Sequence, residues 1–239
     1  MRHLKKRTVK IMTVFSAFLV ALSVMFSLMQ PGIALAGSEV ESDPNADVED
    51  STVWEASFSN SGYEQAENWN QAVTAIAESQ QGYTESTKNF NEENKGYTRY
   101  GAWASTDTED KRYNDWNTLF VQFVLHYAGV STDYFPVQDN VQTWIESLTN
   151  TGLYTTEYTT GDLVFINKDG NTSVGIIDII NQDEQGNNTT ITVIEGDSND
   201  KVEENTYALD SNILGYGSLS TAYNNYQLDL QNQQGGGDN

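Results

Sequence analysis

Hydrophobic positions along the chain repeat with one period early and another late. Trp69, Val73 and Ile76 recur at helical spacing, which predicts a first helix ending before Gly82. A second helix is predicted over about residues 115–127, where Trp116, Phe120, Phe123 and Tyr127 form an apolar stripe widened by Val121, Val124 and Ala128. Thr118, Gln122 and His126 fall on the remaining, polar side, and Asp115 is placed to cap the start. A third helix is predicted over about residues 138–148. Further on the period drops towards two, predicting strands at 161–166, 173–180 and 189–196 and short ones near 202–209 and 213–217. Residues 168–171 carry an Asp169-Gly170 turn that joins the first two strands as a hairpin. Helices first and an antiparallel sheet after them predict an α+β domain over residues 60–220.

The flanks read differently. Residues 1–36 combine a basic start, a long apolar run and Ala34-Leu35-Ala36, the small-x-small pattern of a cleaved signal peptide. The same run, left uncleaved, would be a membrane anchor, and it is the chain's one route to a membrane. Either way the remainder is expected outside the cytoplasm, as a secreted or cell-surface protein. Residues 37–59 are small, polar and acidic and predict a disordered spacer. Residues 221–239 turn amide-rich and then Gly-rich, which predicts a flexible tail.

Charge and composition remove several function classes. The 239 residues include 34 acidic against 12 basic ones, a net charge of −22. Five of those basic residues lie in the first ten positions, so the domain itself is more acidic still. Such a surface repels nucleic acid. There is no cysteine, which excludes disulfides, thiolate metal sites and a thiol nucleophile. Apart from His3 in the leader, His126 is the one histidine. It stands nine residues after Asn117, on the opposite helix face, and is expected at the surface without a role at that position. Asp169 alone is too few carboxylates for a calcium loop, and no metal or cofactor is expected.

Six segments carry a resemblance. They are YTRYGAW (97–103), DWNTLFVQFVLHYAGV (115–130), GDLVFI (161–166), SVGII (173–177), VIEGDSNDKV (193–202) and LGYGSL (214–219). In order and spacing, over about residues 65–220, the chain resembles the CHAP family of cysteine, histidine-dependent amidohydrolases and peptidases. The resemblance implies a papain-like CHAP fold, with N-terminal helices packed on a C-terminal antiparallel sheet. It also implies a helix-terminal cysteine that attacks an amide of peptidoglycan, a histidine that moves the proton, and two polar residues on the next strand that orient it. Position by position, the cysteine falls on Asn117, the histidine on Ser173, and the orienting pair on Glu195 and Asp197. A carboxamide is no nucleophile and a serine hydroxyl is no base, so no catalytic set is intact. The resemblance therefore implies a pseudoenzyme.

Strand alternation would put Glu195 and Asp197 on one face, about 6.5–7 Å apart at Cα. A pair at that range suits a rewired hydrolase or a metal ion, or it is a remnant that now bonds its neighbours. Tyr100, Trp103 and Trp116 lie in segments that line the cleft of active relatives, and together with the four positions above they are candidates for a binding groove; the alternative is that these aromatics pack the core, which the apolar stripe favours for Trp116. The ligand expected there is a peptidoglycan fragment or a surface protein. A third possibility is a structural surface protein with no specific groove ligand.

Overall fold

The computed structural model describes residue 49 and residues 51–168, 170–209 and 212–235. Expectations for the leader, for most of the spacer and for Asp169 lie outside the described residues. Among the described residues six α-helices and six strands follow in the order α1 (Ser51–Phe58), α2 (Trp69–Ser79), α3 (Arg99–Ala104), α4 (Asn117–Tyr127), α5 (Val141–Asn150), β1 (Tyr154–Thr155), β2 (Leu163–Lys168), β3 (Asn171–Gln182), β4 (Asn188–Ser198), β5 (Lys201–Ala208), β6 (Ile213–Gly217) and α6 (Leu219–Gly235). The strands form one antiparallel sheet in the order β1-β6-β2-β3-β4-β5. The α+β class is therefore as the change of period predicts. No helix among the described residues is long and apolar enough to cross a membrane.

One face of the sheet carries the helices. Val174, Ile176 and Ile194 of the sheet join Phe120, Phe123 and Val124 of α4, Val73 and Ile76 of α2 and Trp144 of α5 in the main core. Tyr100 stacks on Trp116 at 5.2 Å between ring centroids and meets Phe120 and Phe123 edge-on. The other face carries a smaller apolar cluster built from Val164, Ile166, Ile177, Ile191, Val193 and Tyr216, with no helical residue in it. α4 lies so close to β4 that a Cβ on Gly196 would come within 2.4 Å of the Phe120 Cβ. Only glycine permits that approach, and it brings the start of α4 against the ends of β3 and β4.

Both flanks depart from expectation. The spacer is not disordered throughout: residues 51–58 form α1, because Trp54 and Phe58, four apart, share one face and Phe58 enters the core. Glu49 is anchored as well, pairing with the Arg99 guanidinium at 2.6 Å and accepting from the Tyr97 hydroxyl through its carbonyl. The flexible tail predicted from residue 221 is helical to residue 235, because Tyr223 and Tyr226 of α6 pack on Trp69 of α2. The composition of that segment is amide-rich, but two tyrosines at helical spacing suffice to dock it.

Two further expectations fail locally. Asp115 does not cap the second helix, which begins at Asn117. The carboxylate of Asp115 pairs with Lys95 instead, and the Trp116 N–H is taken by Asp197. Thr118 is not on a wet stripe; it is buried, with its hydroxyl donating to the Asp139 carbonyl. The short α3 was not anticipated by periodicity, and its N-cap Thr98, which accepts from the Gly101 N–H, is the local signal for it.

Candidate functional site

Asn117 and Asp197 sit where the start of α4 reaches β3 and β4, whereas Ser173 and Glu195 bond each other on the opposite face of the sheet. The Asn117 carboxamide acts there as an extra peptide unit. Its Nδ2 donates to the Val174 carbonyl at 2.9 Å and to the Gly196 carbonyl at 3.0 Å, while its Oδ1 accepts from the Val174 N–H at 2.9 Å. The β3–β4 pairing stops at Ile176–Ile194, and in the same register Val174 would face Gly196 two residues further on. Asn117 therefore bridges the two strands where their own ladder has ended. Both donors of the amide and its oxygen are engaged.

Ser173 and Glu195 form a separate network. Glu195 is fully buried, and its carboxylate accepts from the Ser173 hydroxyl at 2.7 Å, Lys168 Nζ at 3.0 Å, Asn205 Nδ2 at 3.0 Å and the Tyr207 hydroxyl at 2.5 Å. Burial, and then the hydrogen bond to the Glu195 carboxylate, raise the Tyr207 phenol well above its ordinary value, so it is a donor throughout the physiological range. Tyr207 belongs with the apolar cluster on the helix-free face, which places Glu195 on that face with Ile191 and Val193.

Asp197 does not share that face, so the expectation of a paired carboxylate surface fails. Strand alternation is broken at this point: Asp197 has φ +58°, and the β4–β5 register shifts between Glu195 and Ser198. The Asp197 Oδ2 accepts from the Trp116 N–H at 2.9 Å, at the first turn of α4. Around it, the carboxylate oxygens of Glu85, Asp197 and Asp200 converge within 4.8 Å of one another. Asp197 is pushed up to about 6, mainly by burial and further by Asp115, Glu85 and Asp200, against the opposing bond from Trp116. Glu85 and Asp200 were not among the sequence candidates; they are far apart in the chain and are joined by the Glu85 N–H donating to the Asp200 carbonyl.

The aromatic wall of the expected groove is core instead. Tyr100 and Trp116 are buried, and the Tyr100 hydroxyl donates to Gln80 Oε1 at 3.2 Å. Trp103 is partly buried against Phe123 and His126. These rings supply stability; none forms a free stacking platform. His126 is exposed, and its ring neighbours are Trp103 and Tyr127, away from Asn117, as the nine-residue spacing requires.

Chemically, the centre holds no exposed nucleophile paired with a base. Asn117 is a bridge between strands, Ser173 donates to a carboxylate already shared by three other donors, and Asp197 caps a helix. A cavity of about 710 Å³ opens elsewhere, between α2 and α6, and none of the four residues lines it. Comparison with protein-family models, with curated proteins and with solved structures finds no match to this chain.

Proposed function

We propose that the domain is a catalytically silent, CHAP-like domain of papain-like type, presented outside the cytoplasm. In this reading it binds a peptidoglycan fragment or a surface protein without cleaving it. One observation carries the reading: the residue at the implied nucleophile position, Asn117, spends its whole carboxamide on the backbones of Val174 and Gly196. A group bound in this way is part of the frame and is unavailable to attack a substrate. The fully buried Glu195, with four donors on its carboxylate, and the separate placement of Asp197 speak against a rewired carboxylate pair.

The test is incubation with purified peptidoglycan, following sedimentation of the protein with the wall and release of amino groups or reducing ends. Co-sedimentation without release is expected. Release that is lost in Glu195→Ala would replace this reading by a hydrolase. Neither sedimentation nor release would leave a structural surface protein.

A further inference from the structure

We propose that the cleft between α2 and α6 is a binding site for an uncharged saccharide. The cavity there has a volume of about 710 Å³, the size of a site for a small ligand. Nine of its twelve lining residues carry an amide, a hydroxyl or the Tyr223 ring, and no lysine or arginine takes part. The only charged lining groups are Glu67 and Glu78, both exposed, which disfavour an anionic ligand.

Several of the polar groups are unspent. The Gln71 side-chain oxygen accepts from the Glu67 N–H at 2.9 Å, which fixes the amide, while its own N–H donors have no partner among the described residues. The Asn224 carboxamide and the Thr160 hydroxyl have none either, and both residues line the cleft. Vicinal hydroxyls of a sugar ring both donate and accept, and so match amides and hydroxyls set side by side. The half-buried Tyr223 ring offers an apolar surface for the C–H face of a pyranose. It is held by its edge-on contact with Trp69 at 5.4 Å and by its hydroxyl donating to the Glu67 carbonyl.

The walls are also fixed before any ligand arrives. The buried Asp162 carboxylate accepts from Asn70 Nδ2 of α2 at 2.9 Å, from the Leu219 N–H of α6 at 2.9 Å and from the Thr159 N–H at 3.1 Å. One side chain thus ties together both helices and the loop between the walls. A ligand entering this cleft loses little affinity to ordering the protein. The inference is independent of the function proposed above, because none of its residues is near the Asn117 bridge in the hydrogen-bond network.

The experiment is calorimetric titration of the full chain with maltotriose, cellotriose and chitotriose, with tetralysine and a glucuronate trimer as charged probes. Saturable binding of at least one neutral trisaccharide is expected. The double variant Gln71→Ala/Asn224→Ala, exposed at both positions, should keep its circular dichroism and bind on the order of tenfold more weakly. Binding that the double variant leaves unchanged would place the sugar elsewhere and overturn the proposal. So would the absence of binding by all three neutral probes, or binding of tetralysine alone.

Discussion

Asn117 and Val174 are joined as two residues of neighbouring strands would be, each giving an N–H and taking one, although Asn117 belongs to a helix. The side chain thereby closes the gap left where the β3–β4 ladder stops. Replacing Asn117 by alanine strands a Val174 N–H and two carbonyls at a partly buried junction. The expected loss is about 2 kcal/mol of unfolding free energy, measured by urea denaturation. Asn117→Asp should cost more at neutral pH, since a carboxylate would face two carbonyl oxygens, and the difference between the variants should narrow in acid. A loss below about 0.5 kcal/mol for the alanine variant would show that the bridge is ornamental.

Glu195 and Lys168 are unequal partners. Glu195 is fully buried, whereas the Lys168 side chain keeps 36% of its exposure, and three other donors remain on the carboxylate if the lysine is removed. Glu195→Ala should cost about 3 kcal/mol or more, because buried donors lose their acceptor. Lys168→Ala should cost about 1 kcal/mol. Equal effects would mean that the ion pair, and not the hydrogen-bonded network, carries the stability.

Most of the element order was legible from hydrophobic period, because α2, α4 and the long strands each bury a continuous apolar face. What escaped depended on single contacts. α6 docks through Tyr223 and Tyr226 inside an otherwise polar segment, and α1 through Trp54 and Phe58 inside an acidic one. In the site, the proximity of the helix start to β3 and β4 came only from the resemblance, and the side-chain directions were not legible. Alternation predicted that Glu195 and Asp197 would look the same way, and the positive φ at Asp197 cannot be read from a period-two pattern. Of the aromatics named for the groove, Trp116 was legible as core from its place on the apolar stripe of α4, whereas Tyr100 was not. Tyr100 and Trp116 stack on each other across two elements, a contact that no spacing within either helix reveals.

Two carboxyls predict an acid-shifted stability profile. Asp197 is pushed up to about 6 chiefly by burial, and Asp178 to about 6 by burial and by Glu78 and Glu204. In the unfolded chain both titrate near the ordinary value of about 3.9. Between those values the folded state holds more protons than the unfolded one, so stability falls as pH rises from about 4 through about 6. Below about 4 the sign reverses, since Asp110 is held at about 2, chiefly by hydrogen bonds from Arg112. The melting temperature should therefore peak near pH 4–5 and decline towards neutrality. Asp197→Asn should flatten the declining limb and raise the melting temperature at pH 7. A melting temperature that climbs steadily from pH 4 to 7 would contradict the assignment.

The turn between β4 and β5 offers the sharpest backbone test. Asn199 and Asp200 have φ of +54° and +60° between the paired residues Ser198 and Lys201, the geometry of a two-residue type I′ hairpin. Aspartate and asparagine enter that conformation at less cost than other side chains, and glycine avoids the cost altogether. The Asp200 carboxylate also crowds Asp197 and Glu85. Asp200→Gly removes both penalties while keeping the backbone carbonyl that accepts from Glu85. Against them stands the extra freedom glycine gives the unfolded chain, so the net gain should be about 0.5–1 kcal/mol. Asp200→Asn keeps the strained backbone and removes only the charge, and should recover a smaller part of the gain. The ordering glycine above asparagine above aspartate, read as melting temperature at pH 7, separates strain from charge. At pH 4.5, with Asp197 largely protonated, the asparagine gain should shrink and the glycine gain persist.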